Sequence, residues 1–165
     1  MNAVAASSVA MNAIIANTNA LNTVVASSVA MNAVAASSVA IGAIASSTTA
    51  KNAVLASTTA LNALDASPLA KTMSSAGTVT GKGFVISYSV TSNASASNYA
   101  IGGYTVTVDS SNVATCSPAQ NTPTKTANGS HLFFTSKIAL AFSTGTNGSS
   151  YSATGSGNIK YILGR

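Results

Sequence analysis

A ten-residue unit repeats seven times at the start of this chain, between Met1 and Ala70. The first unit reads MNAVAASSVA and the last reads LNALDASPLA, so the pattern survives across the whole array. A short fixed period indicates a repeat architecture, in which each unit buries its apolar side chains mainly against neighbouring units. This constraint favours a spacer or an assembly surface over a catalytic scaffold. Because the array opens in mid-pattern, we also expect residues 1–165 to belong to a longer array.

Four places of the unit are nearly invariant when they are numbered from Met1. Place 10 is always Ala, place 4 is always Val, Ile or Leu, place 2 is Asn in six units, and place 7 is Ser in six. We expect Ala where successive units approach too closely for a larger side chain. The residues predicted to pack the units together are Ala10, Ala20, Ala30, Ala40, Ala50, Ala60 and Ala70, with Val4, Ile14, Val24, Val34, Ile44, Val54 and Leu64.

Three backbone structures are compatible with this period. Because ten residues turn an α-helix through about 1000°, a continuous helix would carry a spiralling apolar face and would have to bend or supercoil. An even period keeps the two faces of a β-strand constant, as a β-solenoid requires, but alanine-rich segments are poor strand formers. The third structure is one short helix per unit, with a bend between units.

Short stacked helices are the structure we expect, because place 7 offers good helix caps. Ser and Asn are preferred N-caps, and a proline directly after the cap, as in Ser67-Pro68, suits the first helical position. From each cap onward, the apolar places 10, 1, 3 and 4 recur with helical spacing. The Asn at place 2 either forms a ladder of hydrogen bonds or faces solvent. The predicted caps are Ser7, Ser27, Ser37, Ser47, Ser57 and Ser67.

The second part of the chain has a different chemistry. All nine aromatic residues lie after residue 80, and every glycine except Gly42 lies after residue 70. The predicted organisation is a repeat array at 1–70, a linker at 71–77 and a β-rich domain at 78–165. The predicted fold class is therefore α+β, with short helices followed by a small antiparallel β-sandwich.

Alternating apolar residues predict the strands of this β-rich domain. Phe84, Ile86, Tyr88 and Val90 alternate and are expected on one face of a strand, and further strands are expected near 104–108, 134–142 and 159–163. Segments rich in Ser, Asn and Gly at 92–98, 117–130 and 143–158 are predicted loops. In or beside these loops, the candidates for surface recognition are Tyr99, His131 and Tyr151.

The composition excludes most catalytic and metal sites. The chain has one Cys, one His and two acidic residues, too few for a disulfide framework or a zinc site. Asp65 and Asp109 fall in different halves, so paired carboxylate catalysis is not expected. We predict no catalytic, metal-binding or cofactor-binding residue, and no enzyme activity.

The charge and hydropathy patterns also bear on partners. The net charge of +5 is scattered rather than clustered, which predicts no nucleic-acid binding. Ser and Asn interrupt every apolar run well short of the ~18 residues of a membrane span, so no membrane insertion is expected. With 47% hydrophobic and only 5% charged residues, the chain should pack tightly, within itself or between copies.

The repeat resembles the decapeptide arrays of bacteriophage and prophage tail-fibre or virion-fibre proteins. The residues that carry this resemblance are units such as Ser57-Thr58-Thr59-Ala60-Leu61-Asn62-Ala63-Leu64. In those proteins a small β-rich module often follows the array, which matches the layout here. The resemblance implies a homotrimeric fibre or decoration protein of the head or tail on the virion surface. It also implies contacts with other virion proteins and attachment to a host-surface glycan.

Two other hypotheses stay open. The first is a self-assembling cell-surface adhesin or extracellular filament subunit, in which the repeats of one chain continue the array of the next. The second is an ice-binding solenoid, suggested by the Thr pairs at 48–49 and 58–59, which are sparse for a regular face.

Overall fold

A computed structural model of the chain describes residues 1–94, 103–116, 124–143 and 153–165. Over these residues, helices are followed by two antiparallel sheets, which confirms the predicted α+β fold class. The helices are α1 (Asn2–Ala5), α2 (Ser8–Ala16), α3 (Thr18–Ala26), α4 (Ser28–Ala35), α5 (Ser38–Ala45), α6 (Thr48–Leu55) and α7 (Thr58–Asp65). The strands are β1 (Lys71–Met73), β2 (Gly77–Thr80), β3 (Lys82–Ala94), β4 (Gly103–Val108), β5 (Ser111–Cys116), β6 (Thr124–Phe134), β7 (Lys137–Ser143) and β8 (Ala153–Gly164).

Each helix from α2 to α7 begins directly after a place-7 residue. That side chain accepts a hydrogen bond of 3.1–3.3 Å from the backbone N–H of the following place-10 Ala. The cap itself has an extended backbone, which turns the chain between helices, and the axes of α4 and α5 differ by 98°. The array is thus one short helix per unit, and neither a continuous helix nor a β-solenoid. The capping residues are Ser7, Asn17, Ser27, Ser37, Ser47 and Ser57.

The short helices form a three-sided solenoid. Helix α4 packs on α1 and on α7, α5 packs on α2, and α6 packs on α3, so three helices complete one turn. Place-7 hydroxyls also join successive turns: Ser37 Oγ donates to the carbonyl of Ala5 at 2.6 Å, and Ser57 and Ser67 make the equivalent bonds. A serine such as Ser37 therefore both caps its own helix and binds the helix end of the turn before it.

Ser67 is the one predicted cap that starts no helix. Its Oγ accepts a hydrogen bond from the N–H of Leu69 at 3.1 Å, and the chain then makes a turn. Because β1 begins at Lys71, there is no room for a helix after this serine. The predicted linker at 71–77 is also partly wrong, since Lys71–Met73 pairs with β8 and Gly77 opens β2.

Two four-stranded antiparallel sheets form the sandwich. Sheet A has the order β1-β8-β3-β6, and sheet B has the order β2-β7-β4-β5. Apolar side chains of both sheets fill the space between them. The largest fully buried side chains of this core are Phe134, Ile138, Leu140 and Ile159.

Sheet A is kinked, and the kink overturns the predicted face of β3. Phe84 and Ile86 point toward the helices, whereas Tyr88 and Val90 point toward sheet B. The register of β3 against β8 shifts by one residue between Val85 and Ser87, which exchanges the two faces. On the neighbouring strand β6, His131 has a left-handed backbone (φ 58°) opposite this bulge. Near the kink, β3 therefore packs Phe84 and Ile86 against the solenoid, and β6 packs Phe133 there.

Parts of the predicted loops are strands. Residues 92–94 belong to β3, 124–130 to β6, 143 to β7 and 153–158 to β8, and the remaining residues of these loops, 95–98, 117–123 and 144–152, lie outside the described residues. Two glycines show why segments of this composition form strands. A Cβ at Gly129 would overlap the ring of Tyr88, and one at Gly157 would crowd Tyr104 and Leu140. These glycines serve close packing inside strands rather than turns.

Candidate functional site

The repeat places that face the preceding turn of the solenoid are 3, 4 and 10. At place 4, Val34, Ile44, Val54 and Leu64 are at most 2% exposed, whereas the residues of the first turn are partly exposed. At place 10 the same contrast holds, since the alanines of units three to six are buried and those of the first two units are not. The predicted packing residues with part of their surface exposed are Val4, Ala10, Ile14, Ala20, Val24 and Ala70.

Places 1 and 5 face the following turn. Met11, Leu21, Met31 and Ile41 at place 1 are all at most 2% exposed. In the two last helices the same places hold Lys51, Leu55, Leu61 and Asp65, which are exposed or partly exposed. The array therefore changes its chemistry where it ends against the sandwich.

The asparagines at place 2 form no ladder. All six are exposed, and in the described part of the chain none makes a side-chain hydrogen bond. They cover the sides of the solenoid with neutral polar groups, where a chain with few charges needs them. Their residues are Asn2, Asn12, Asn22, Asn32, Asn52 and Asn62.

Gly42 marks the point where the end of β8 crosses the solenoid. It is the only place-2 residue that is not Asn, and a Cβ on it would overlap the carbonyl of Arg165. The N–H of Arg165 donates to the carbonyl of Ser38 at 2.8 Å, which fixes this crossing. One departure from the repeat thus has a clear physical reason: the next element needs the space.

The solenoid and sheet A share one apolar core. Phe84, Ile86 and Ile162 are at most 5% exposed and belong to the same buried cluster as the helix residues. Lys82 adds a polar contact, donating from Nζ to the Ser46 hydroxyl at 2.8 Å. The repeat array and the β-rich domain are therefore packed as one body at this junction.

Asp65 and His131 meet at the same junction. His131 Nε2 lies 3.0 and 3.2 Å from the two carboxylate oxygens of Asp65, and the imidazole stacks on Phe84 at a centroid distance of 5.9 Å. The only histidine thus connects α7 to β6. Its predicted role in surface recognition is not favoured by this position, while Tyr99 and Tyr151 lie outside the described residues.

Asp109 occupies a different kind of site at the turn between β4 and β5. Its carboxylate accepts hydrogen bonds from the backbone N–H groups of Thr135, Ser136 and Lys137, and also from the hydroxyls of Thr135 and Ser136. Desolvation raises the pKa of Asp109, but these donors outweigh it and lower the pKa from 3.8 to about 2. The carboxylate therefore holds the β6–β7 corner and is not available as a general base near neutral pH.

The described ranges were also compared with the requirements of a metal site. Over these residues there is no group of three or more His, Cys, Asp or Glu side chains that could hold a metal ion. Cys116 is buried and donates from Sγ to the carbonyl of Lys125 at 2.6 Å. An open cleft of about 430 Å³ lies between the solenoid and β8, with Lys71 and Arg165 among its lining residues.

No single described helix is long and apolar enough to cross a membrane; only the bent pair α4 and α5 passes that test jointly. Comparison with protein-family models and with curated proteins gives no match to this chain. The function is therefore inferred from the repeat faces and from the junction.

Proposed function

We propose that the chain is a structural virion protein of a bacteriophage, a component of a tail or head fibre or a decoration protein. The observation that carries the proposal is the three-sided solenoid, which shares its core with the sandwich at one end. Such a body holds the sandwich rigidly, and each further turn of 30 residues would lengthen it by about 10 Å, the spacing of packed helices. The length of the spacer would then be set by the number of repeats.

The positions of the strand ends support a role of the sandwich in attachment to a host surface. Ala94 pairs with Ala153 and Gly103 pairs with Ser143, at the end of the sheets far from Gly42 and the solenoid. Attachment to a host glycan at that end stays part of the proposal, as does a virion-surface location without nucleic-acid, cofactor or enzymatic roles. A homotrimer also stays a prediction, and its contacts would lie outside the repeat core, which the helices of one chain form together.

Mass spectrometry of virions tests this proposal. We expect peptides of the chain in gradient-purified particles of the phage or prophage that encodes it, and their absence from particles of a deletion strain. An abundant cytosolic host protein serves as the control for contamination. Purified particles without the chain would contradict the proposal. Recovery from the surface of uninduced cells would instead favour the adhesin or filament hypothesis.

The filament hypothesis has less support from the junction. A head-to-tail array would need the C-terminal side of the solenoid to accept the first turn of the next chain. Sheet A covers α5 on that side, and Lys51 and Asp65 replace apolar residues on α6 and α7.

A further inference from the structure

Sheet A carries an ordered set of neutral polar side chains on its outer side, beyond the kink. On β3, Tyr88 and Val90 point into the sandwich core. The alternation of a strand then places Ser89 and Thr91 on the opposite, outer side. The backbone register aligns these two with outward residues of both neighbouring strands. Two complete rows result, which we call the polar face: Asn128-Ser89-Asn158 and Thr126-Thr91-Ser156, each written from β6 through β3 to β8.

The backbone beneath the polar face is held rigidly. A Cβ at Gly129 would overlap the ring of Tyr88, and one at Gly157 would crowd Leu140, so these strands lie close against the core. The hydroxyl of Tyr88 also donates to the carbonyl of Val113 on sheet B at 3.2 Å. Because β3 is paired on both sides, the outward side chains stand about 4.8 Å apart between strands and about 6.8 Å apart along a strand. The polar face is therefore a regular grid on a firm support.

The polar face offers hydrogen-bonding groups that the fold leaves unused. Its members on β6 and β8 are exposed, and those on β3 are partly exposed. Among the described residues, the one side-chain hydrogen bond of this set joins Thr91 Oγ1 to Thr126 Oγ1 at 3.0 Å. The other hydroxyls and amides can each donate and accept a hydrogen bond. They are therefore suited to a ligand that is itself rich in hydroxyl or amide groups.

The polar face is also free of charge. Its six members are Ser, Thr and Asn, and the lysines of β6 and β8 are directed elsewhere. Lys160 Nζ lies 3.4 Å from the carbonyl of Asp65 on α7. Lys125 pairs with the buried Ser92, so it belongs to the opposite side of β6. Because a charged ligand would lose hydration here without gaining a counter-charge, the polar face is suited to an uncharged one.

The described outer side of sheet B has a different composition. On its central strand β4, Thr105 lies opposite Ala141, and Thr107 lies opposite Ala139. Methyl groups interrupt the polar rows there, although the whole chain is equally poor in charge. The complete rows of sheet A are therefore a property of this one surface and do not simply follow from the composition.

We propose that the polar face binds an uncharged glycan, whose hydroxyl groups replace the water held by these side chains. The proposal rests on the proposed function and gives the host attachment a surface and a ligand class. The rows lie toward the strand ends that are far from the solenoid, so a rigid spacer would hold them toward the host. Each contact is weak, because it exchanges one hydrogen bond with water for another. Many copies on one particle would supply the affinity.

The test presents the chain in many copies to immobilised glycans. Val9→Cys provides a single attachment point, because Val9 is 78% exposed on the solenoid while the native Cys116 is buried. The full chain, biotinylated at the new thiol and bound to fluorescent streptavidin beads, is applied to an array of neutral, sialylated and sulfated glycans. We expect binding to neutral hexose or N-acetylhexosamine glycans, and this binding should persist when the salt is raised to about 1 M.

Two kinds of variant locate the site in this background. Thr91→Lys places a long charged side chain at the centre of the polar face and should reduce bead binding at least about tenfold. Thr105→Lys makes the same change on the central strand of sheet B and should bind as the parent does. Asn128→Ala and Asn158→Ala each remove one exposed amide, so they should keep the parent's melting temperature and bind about two- to tenfold less.

The outcomes distinguish a failure at the polar face from a failure of the proposed function. Three results would overturn the glycan site: no binding to any neutral glycan, binding confined to sialylated or sulfated glycans, or binding that Thr91→Lys and both asparagine variants leave unchanged. None of them bears on whether the chain is a virion component, which mass spectrometry of particles decides. Conversely, a chain absent from virions whose neutral-glycan binding is lost in these variants would retain the site and contradict the phage assignment.

Discussion

Gly42 shows how a single residue adapts a repeat to a neighbouring element. In a helix interior, Gly→Ala ordinarily stabilises by about 1 kcal/mol. Here we expect Gly42→Ala to destabilise by about 1–3 kcal/mol, because the new Cβ would overlap the carbonyl of Arg165. Urea unfolding measures the difference. Asn52→Ala, at the same place of α6 but exposed, is the matched control and should change stability by less than about 0.5 kcal/mol; a stabilised Gly42→Ala would refute this expectation.

Replacement of two buried serines by alanine should affect the stability of the fold in different ways. Among the residues that the structure describes, the buried Ser92 Oγ has no hydrogen-bond partner, whereas the buried Ser67 Oγ donates to the carbonyl of Ala35 and accepts from the N–H of Leu69. Ser92→Ala should therefore be neutral or stabilise by about 1 kcal/mol, and Ser67→Ala should destabilise by about 1–2 kcal/mol. Denaturant midpoints of the two variants decide this. Equal losses of stability in the two variants would contradict this difference between the two hydroxyls.

The carboxylate of Asp109 gives the chain a specific acid sensitivity. Its pKa is about 2 in the folded chain against a reference of 3.8, so its contribution is complete above about pH 4 and lost as the pH falls toward 2. We expect Asp109→Asn to be less stable than wild type at pH 6. As the pH falls from about 4 to about 2, the variant should lose less stability than wild type does. Thermal unfolding across this range measures it. Ser136→Ala removes only one hydroxyl donor and should lie between the two; parallel pH profiles would exclude the role of Asp109.

At the scale of elements, the period and the caps could be predicted from sequence because their causes are local. A place-7 side chain reaches the N–H three residues later, whatever the rest of the fold. The kink at Ile86 could not, because a bulge is defined by the register against β8. A partial signal was present in the consecutive apolar runs at 84–86 and 161–163, which are typical of a sheet buried on both faces. The pairing of Asp65 with His131 had no sequence signal, since 65 residues separate them.

The solenoid predicts where the array tolerates an extra unit. A copy of residues 18–27 inserted after Ser27 lengthens the N-terminal side of the array and leaves α5 and α7 in place beneath sheet A. The same copy inserted after Ser57 moves α7 by a third of a turn, which separates Asp65 from His131 and displaces the entry of β1. Melting followed by far-UV circular dichroism should show little change for the first insertion and a loss of several degrees for the second. Equal tolerance at both sites would contradict the docking of sheet A on a particular helix.

At the scale of the whole molecule, the question is whether the chain unfolds as one unit. Its composition suggested two domains, yet the solenoid and sheet A share the cluster that contains Phe84 and Ile162. A change in composition along the chain shows where one sequence pattern ends and another begins. It does not show which surfaces pack together in the fold. The boundary at residue 70 is therefore a boundary of sequence pattern, while the apolar core runs across it.

Phe84→Ala tests this shared core directly. The side chain is fully buried, contacts Phe133 at a centroid distance of 4.8 Å and stacks on His131, so its removal should cost about 3–5 kcal/mol. The repeat array at 1–70 contains no tyrosine, so tyrosine fluorescence reports on the part of the chain after the array while ellipticity at the helical minimum follows the solenoid. If the two parts are one cooperative unit, both signals should change at the same urea concentration in wild type, and both should shift together in the variant. A fluorescence midpoint that stays fixed while the helical midpoint falls would show instead that the sandwich folds independently of the array it closes.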